Sequence, residues 1–319
     1  MSTTNTIMIL GATGFIGRNL VERFASDPAN RVRAVYHKRP LYQHPNVEWI
    51  QCDLKNEEQV NGLFVGVDTV IQAAATTTGA KDAINTPFLH VTDNAVMNSY
   101  IFRACHQSKV KQVVFFSCSV MYPVNRPQVK ETDVTMDGIH PRYFGVGWTK
   151  VYLEKMAEFY AGLGNTRFTV IRHSNIFGPY DKYDLERSHV FGATMTKVSL
   201  ALKHKKEEIV VWGEGKELRD LLHVNDLANF VSLAIQKQQE AFFLCNVGCG
   251  LGISINDLVA TMQKEMGGNL KIHHDLTKPS IPVDIVLDVR KAHEFGWKPT
   301  ILLAEGIRMT WQWYQANIL

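Results

Sequence analysis

The chain has 319 residues, with 34 lysines and arginines against 31 aspartates and glutamates, a formal net charge of +3. So even a balance, spread along the chain, excludes nucleic acid as the main partner, and a 45% hydrophobic share with no apolar run of membrane-spanning length excludes a membrane protein. Five scattered cysteines, Cys52, Cys105, Cys118, Cys245 and Cys249, point to reduced thiols in cytoplasm, and no Cys/His pair accompanies Cys245 and Cys249 to make a metal site.

A first strand, 7–10, runs straight into Gly11-Ala12-Thr13-Gly14-Phe15-Ile16-Gly17, and Leu20, Val21 and Phe24 then set a helix. The apolar run is too short for a secretory leader. Strand, glycine turn and helix are the context of a dinucleotide phosphate site. Gly11 permits the tight turn, Gly14 lets backbone approach a pyrophosphate, and Gly17 lets the helix pack close to the sheet. The helix start adds free N–H groups and a positive dipole end. Thr13, Phe15 and Ile16 belong to the same cradle.

The second strand, 31–36, closes on His37-Lys38-Arg39-Pro40. At this strand end an acid holds the free 2′-hydroxyl of NAD, and a base accommodates the 2′-phosphate of NADP. His37, Lys38 and Arg39 therefore point to NADP, with NAD as the alternative. A third strand, 47–52, leads into Asp53-Leu54, and a helix over 57–64 precedes strand 69–72. Ala73, Ala74 and Ala75 follow, with Thr76-Thr77-Thr78-Gly79. Such small side chains leave room for a ligand at the carboxyl ends of parallel strands. A helix over 94–105 and a strand over 112–116 end in Ser117-Cys118-Ser119. This alternation predicts an α/β fold with a doubly wound parallel sheet.

Trp148, Val151, Tyr152, Met156, Phe159 and Tyr160 mark the next helix, with Lys150 in its first turn. Strand 168–172 then runs into His173-Ser174-Asn175-Ile176-Phe177-Gly178-Pro179, after which the alternation fails. A helix over 190–203, a strand over 209–212 and the turn Gly213–Gly215 follow. The segment Arg219-Asp220-Leu221-Leu222-His223 leads into a helix over 227–235; Ser254 caps another, with Asp257 three residues on, and a last helix spans 303–316. The expected organisation is a dinucleotide domain over 1–175 and a smaller, interleaved C-terminal substrate domain over 176–319, with parts of 219–247 returning to the first.

As a set, these motifs resemble the extended short-chain dehydrogenase/reductases of the nucleotide-sugar epimerase, dehydratase and reductase group, and within it the GDP-L-fucose synthases. Gly11-x-x-Gly14-x-x-Gly17, Cys52-Asp53-Leu54, Tyr122-Pro123, Lys150, Ser174 to Pro179, Ser188-His189-Val190, Val211-Trp212-Gly213-x-Gly215, Arg219 to Asp226 and Phe295-Gly296-Trp297 carry the likeness. The resemblance implies a Rossmann domain in which Asp53, beside Leu54, contacts adenine. It implies that Asn175, His189 and Val190 face a nucleotide sugar, while Lys197, Trp212 and Arg219 hold its nucleotide and diphosphate. A guanidinium fork at Arg219 matches phosphate geometry. The likeness also implies a homodimer through the helix of Lys150 and the one near Asn98.

The group's chemistry joins hydride from a nicotinamide to a proton from a Tyr-x-x-x-Lys pair, the ammonium lowering the phenol pKa. Here Lys150 is present, but Val146 stands in the tyrosine position. Cys118 occupies the Ser/Thr position, flanked by Ser117 and Ser119; Val120 replaces an acid/base cysteine, and His189 matches an acid/base histidine. The candidate catalytic residues are thus Lys150, Cys118, Ser119, His189 and Tyr143, which lies two helical turns before Lys150. Two readings stay open. One is an NADP-dependent epimerase or keto-reductase of a nucleotide-activated, GDP-linked deoxy sugar with an altered active site. The other is a catalytically silent binder of NADP and nucleotide sugar, acting as a regulatory or partner subunit. A plain small-alcohol dehydrogenase would leave Trp212, Arg219 and the C-terminal half without work.

Overall fold

The computed structural model describes residues 5–38, 42–76, 87–124, 126, 128–135, 137–185, 188–277 and 283–319. In chain order the first part contains β1 (Asn5–Leu10), α1 (Phe15–Ala25), β2 (Asn30–Tyr36), β3 (Val47–Gln51), α2 (Glu57–Val60), β4 (Thr69–Gln72), α3 (Pro87–Gln107) and β5 (Gln112–Phe116). Then come α4 (Phe144–Gly162), β6 (Arg167–His173), β7 (Asn175–Phe177), α5 (Val190–Lys203), β8 (Glu208–Trp212), β9 (Leu218–His223), α6 (Val224–Lys237) and β10 (Phe242–Val247). The chain ends with β11 (Gly252–Ser254), α7 (Ile255–Glu265), β12 (Lys271–Asp275), α8 (Arg290–Glu294) and α9 (Leu303–Asn317).

Seven strands form one sheet in the order β10-β6-β5-β4-β1-β2-β3, every neighbouring pair parallel. Both faces are covered, so the strands read as continuous apolar runs. Alternate residues of β1 feed two cores. Ile7 and Ile9 join Leu20, Phe24, Leu227, Phe230 and Val231 under α1 and α6. Met8 and Leu10 join Ile101, Phe102, Leu153 and Ala157 under α3 and α4. The strand order reverses between β1 and β4, which opens the crevice at their carboxyl ends where such sheets bind ligands.

A second lobe has its own core, in which Phe191, Met195 and Val198 of α5 meet Leu258 and Met262 of α7 and Ile307 and Tyr314 of α9. Its strands are few: β9 pairs with β7 in parallel and β11 in antiparallel, and β8 pairs with β12. The lobes interleave, because α6 and β10 pack into the large sheet after β8 and β9 have built the small lobe. Three local expectations change. The helix expected over 57–64 stops at Val60, where Asn61 turns to an extended conformation and Gly62 takes φ +78°. Residues 218–223, expected only as a lead into a helix, form β9, and β7, β10, β11 and β12 are further strands not expected.

Candidate active site

The glycine cradle closes on the strand after it. Gly11 has φ +70°, and a Cβ there would stand 2.7 Å from the backbone nitrogen of Ala74. A Cβ on Gly17 would stand 2.1 Å from the Gly11 carbonyl oxygen. No side chain fits at either position, so α1 lies tight against the turn. Gly14 is the N-cap of α1 and offers no side-chain cap, and the first turn holds no acid. The N–H groups of Phe15, Ile16 and Gly17 therefore have no intrahelical acceptor and suit a phosphate. Thr13, Phe15 and Ile16 are half-buried, the last two against the first core. Ala73 and Ala74 close the other side, and Ala75 is exposed at the crevice edge.

At the end of β2, the His37 Nε2 stands 3.6 Å from Asp53, whose other carboxylate oxygen accepts the Lys55 N–H. Leu54 is buried in the core below. Lys38 is exposed, whereas Arg39 lies outside the described residues. These residues fit an adenosine end with a base at its rim. The cradle thus fits a dinucleotide through its geometry, and Lys38 is an exposed base beside the His37–Asp53 pair.

Lys150 faces inward from α4, and its ammonium donates to the Phe116 carbonyl at 2.8 Å, at the end of β5. Burial lowers its pKa, while the neighbouring Cys118 and Glu154 work the other way. Cys118 is half-buried, and burial raises its thiol pKa more than Lys150 lowers it. Ser117 is committed elsewhere, donating to Glu154 at 2.5 Å. Ser119 is half-buried, and its hydroxyl makes no hydrogen bond among the described residues. Tyr143 is the N-cap of α4 and packs on His140, with ring centroids 5.9 Å apart. It lies about 10 Å along the helix from Lys150, at the usual rise per residue. Val146, half-buried one turn before Lys150, brings no proton.

The small lobe supplies the other wall. His189 is the exposed N-cap of α5 and Val190 its first residue. The surrounding chain and the Lys182 charge lower the His189 pKa. Lys197, also on α5, holds its ammonium 4.8 Å from the centre of the Trp212 ring, a cation–π contact with a half-exposed indole. Asn175 donates to the Asp220 carbonyl, and β7 pairs Asn175 with Leu221, two residues from Arg219 on β9. Arg219 uses one nitrogen on the Leu218 and Val283 carbonyls. Among the described residues no three His, Cys, Asp or Glu side chains gather as a metal site, and no helix is long and apolar enough to cross a membrane.

Two features escaped the sequence reading. The first is a buried chain of polar contacts beneath the strand ends. Glu154 takes a bidentate ion pair from Arg172, Arg172 donates to the Tyr122 hydroxyl, and Tyr122 donates to Asn246. It joins α4, β6, the segment after β5 and β10, and so fixes the ends that carry Lys150 and Cys118. The second is His173, the last residue of β6, set edge-on to Phe116 at 6.2 Å. A carbonyl can only accept, so the 2.7 Å contact of Nδ1 with the Ser174 oxygen puts the proton on Nδ1. Burial, and then the charges of Lys150 and His189, lower its pKa to about 4. The available signal was a titratable residue at the carboxyl end of a central strand.

Residues 7–248 match the profile of the NAD dependent epimerase/dehydratase family. The GDP-L-fucose synthase of Escherichia coli (strain K12) is 27% identical over 296 residues, 88% of this chain and 92% of that protein. The GDP-L-colitose synthase of Yersinia pseudotuberculosis is 25% identical, over 97% of both chains. Among solved structures, a UDP-glucose 4-epimerase with UDP-glucose from Thermotoga maritima superposes with a TM-score of 0.84 at 22% identity, over 98% of this chain and all of that one.

Proposed function

The chain belongs to the NAD-dependent epimerase/dehydratase family, and on that premise we propose that it reduces or epimerises a GDP-linked keto-deoxy sugar with NADP as its cofactor. Lys150 carries this reading: a desolvated ammonium is held at the end of β5 by the Phe116 carbonyl, at the same carboxyl edge of the sheet as the glycine cradle. The nicotinamide, when bound, supplies or accepts the hydride. Gly11, Gly14 and Gly17 seat its pyrophosphate against the start of α1, and Lys38 meets the 2′-phosphate. Lys150 orients the nicotinamide ribose and keeps positive charge beside the reacting oxygen, which favours the oxyanion form. Ser119 and Cys118 offer that oxygen hydrogen bonds. Trp212 and Lys197 make a platform for the nucleotide, and Asn175 and Arg219 face its sugar and diphosphate. The chain works as a homodimer in the cytoplasm.

The test is purified protein with NADPH or NADH and GDP-linked keto-deoxy sugars, followed by loss of the reduced cofactor's absorbance. Turnover is expected, with at least tenfold tighter binding of NADPH, since one such factor is about 1.4 kcal/mol and one phosphate–base contact is worth that much. NADPH binding without turnover of any such sugar overturns the enzymatic reading.

Val146 favours a second reading, a silent binder of cofactor and nucleotide sugar. Val146→Tyr separates the two: activity arising from nothing marks a lapsed site, and a fall in existing activity marks a rearranged one.

A further inference from the structure

We propose that His173 is the catalytic acid/base at the hydride centre, its Nε2 exchanging a proton with the sugar's carbonyl or carbinol oxygen in the role that Val146 leaves vacant. The inference rests on the proposed reading of the site as a nucleotide-sugar reductase or epimerase.

Position is the first ground. β6 is the immediate neighbour of β5 in the sheet, with Phe116 paired to Ile171. The two strands therefore end side by side, and their ends carry Phe116, whose carbonyl holds Lys150, and His173. The edge-on packing of the imidazole against Phe116 fixes it there. Lys150 of α4 and His189 ahead of α5 both act on its charge, so the large sheet and the small lobe face each other across this ring.

Orientation is the second ground. Donation from Nδ1 to the Ser174 carbonyl at 2.7 Å commits one ring nitrogen to the backbone. It fixes the tautomer in which Nε2 carries a lone pair, and Nε2 has no hydrogen-bond partner among the described residues. A half-buried imidazole with one nitrogen anchored and the other unclaimed is set to move a proton.

Elimination is the third ground. Val146 has no proton to give. Tyr143 packs on His140 at the head of α4. Ser117 is bound to Glu154, and the Ser119 hydroxyl, free to hydrogen-bond the reacting oxygen, is no base near neutral pH. The Cys118 thiol is pushed above its ordinary range by burial, so its thiolate is scarce. His189 is exposed at the cleft wall and belongs to the other lobe.

The step balances in either direction. When a carbinol is oxidised, its O–H bond breaks and the proton passes to Nε2. The bonding pair becomes the carbonyl π bond, as the carbinol carbon gives up hydride to the oxidised nicotinamide. When a ketone is reduced, hydride adds to the carbon, the π pair moves to oxygen, and Nε2–H delivers the proton, which solvent then restores. The depressed basicity of His173 keeps Nε2 unprotonated at neutral pH, the form that accepts in the oxidative direction. In the reductive direction only the protonated fraction delivers, so reductive turnover should rise as pH falls.

The test compares wild type with His173→Asn, whose amide nitrogen can replace Nδ1 as donor to the Ser174 carbonyl while Nε2 is removed. Turnover with NADPH and GDP-linked keto-deoxy sugars should fall about 10²–10⁴-fold, the usual loss of a general acid/base. KM and the NADPH dissociation constant should stay within about twofold, since Nε2 acts on the proton rather than on binding. Retained NADPH binding shows that the variant is folded. In histidine labelled with nitrogen-15, the resonance lost in His173→Asn should report an unprotonated Nε2 at neutral pH that shifts when nucleotide sugar binds. Undiminished turnover in His173→Asn, or an Nε2 resonance that does not respond to nucleotide sugar, overturns the inference and leaves the reductase reading standing. A wild-type chain that binds NADPH but turns over no keto sugar overturns both.

Discussion

Asp181 holds a carboxylate where burial works against its charge. It follows Gly178-Pro179 and Tyr180, which takes φ +67°. Its Oδ1 accepts the Lys182 N–H at 2.7 Å, but Oδ2 is buried with no partner among the described residues. Burial raises its pKa from 3.8 to about 7, against the opposing pull of Lys182. The sign follows from where the proton sits. Below about pH 4 both folded and unfolded chains hold it. Between about 4 and 7 the folded chain keeps a proton that the unfolded chain releases, so stability is lost as pH rises through this window. Above about 7 the loss is complete, on the order of a few kcal/mol at about 1.4 kcal/mol per pKa unit. Asp181→Asn removes the ionisation. Its urea-unfolding free energy should exceed that of wild type above pH 7, and the difference should shrink toward pH 4. A difference that stays constant over that range would show that Asp181 does not titrate within it.

At the scale of elements, one side chain ties the small lobe to the large one. Asp220 on β9 is fully buried and accepts the backbone N–H groups of Cys249, Gly250 and Leu287. It thereby joins β9 to the turn after β10 and to the C-terminal segment that crosses β9 at Ile285. Burial still outweighs these donors and raises its pKa to about 6. Asp220→Ala would strand three buried donors at about 1–3 kcal/mol each. Thermal unfolding should show a loss of several kcal/mol. A loss under about 1 kcal/mol, the scale of an ordinary surface change, would show that the junction is held elsewhere.

Such a residue also marks what the sequence could not disclose. Strands β1 and β5 were legible because Ile7–Leu10 and Val113–Phe116 are apolar on both faces. The glycine cradle was legible because its constraints act within seven residues. Strand β9 was not, since Asp220 and His223 are polar side chains inside it, buried only because distant backbone meets them. Strand β12, Lys-Ile-His-His-Asp, is half solvated and carries no apolar period. The significance of His173 depends on β6 lying beside β5, a pairing of residues more than 50 apart in sequence. The Lys197–Trp212 contact could be expected only from the family resemblance, because nothing local joins α5 to β8.

Across the whole molecule, α4 has two tasks on opposite sides. Its inner face buries Leu153, Ala157 and Ala161 in the second core and presents Lys150 to the cleft. Its outer face leaves Phe144 62%, Tyr152 55% and Phe159 62% exposed, and Phe88 of the adjoining α3 is 61% exposed. So many large apolar side chains on two packed helices exceed what a monomer surface ordinarily shows in one place. A second copy, related by a two-fold axis, would cover them with the same patch, and its helices would brace the rod that carries Lys150 from behind. Sedimentation of the wild-type chain should therefore give a dimer, and the double change Tyr152→Glu with Phe159→Glu a monomer. The four charges placed across a two-fold axis would repel as well as desolvate. Because the bracing acts on α4 rather than on the cradle, the monomer should keep NADPH binding near wild type while its turnover falls. A wild-type chain that sediments as a monomer with full turnover removes the partner from the mechanism, and leaves the inner core of α4 and the Glu154–Arg172 ion pair to support Lys150.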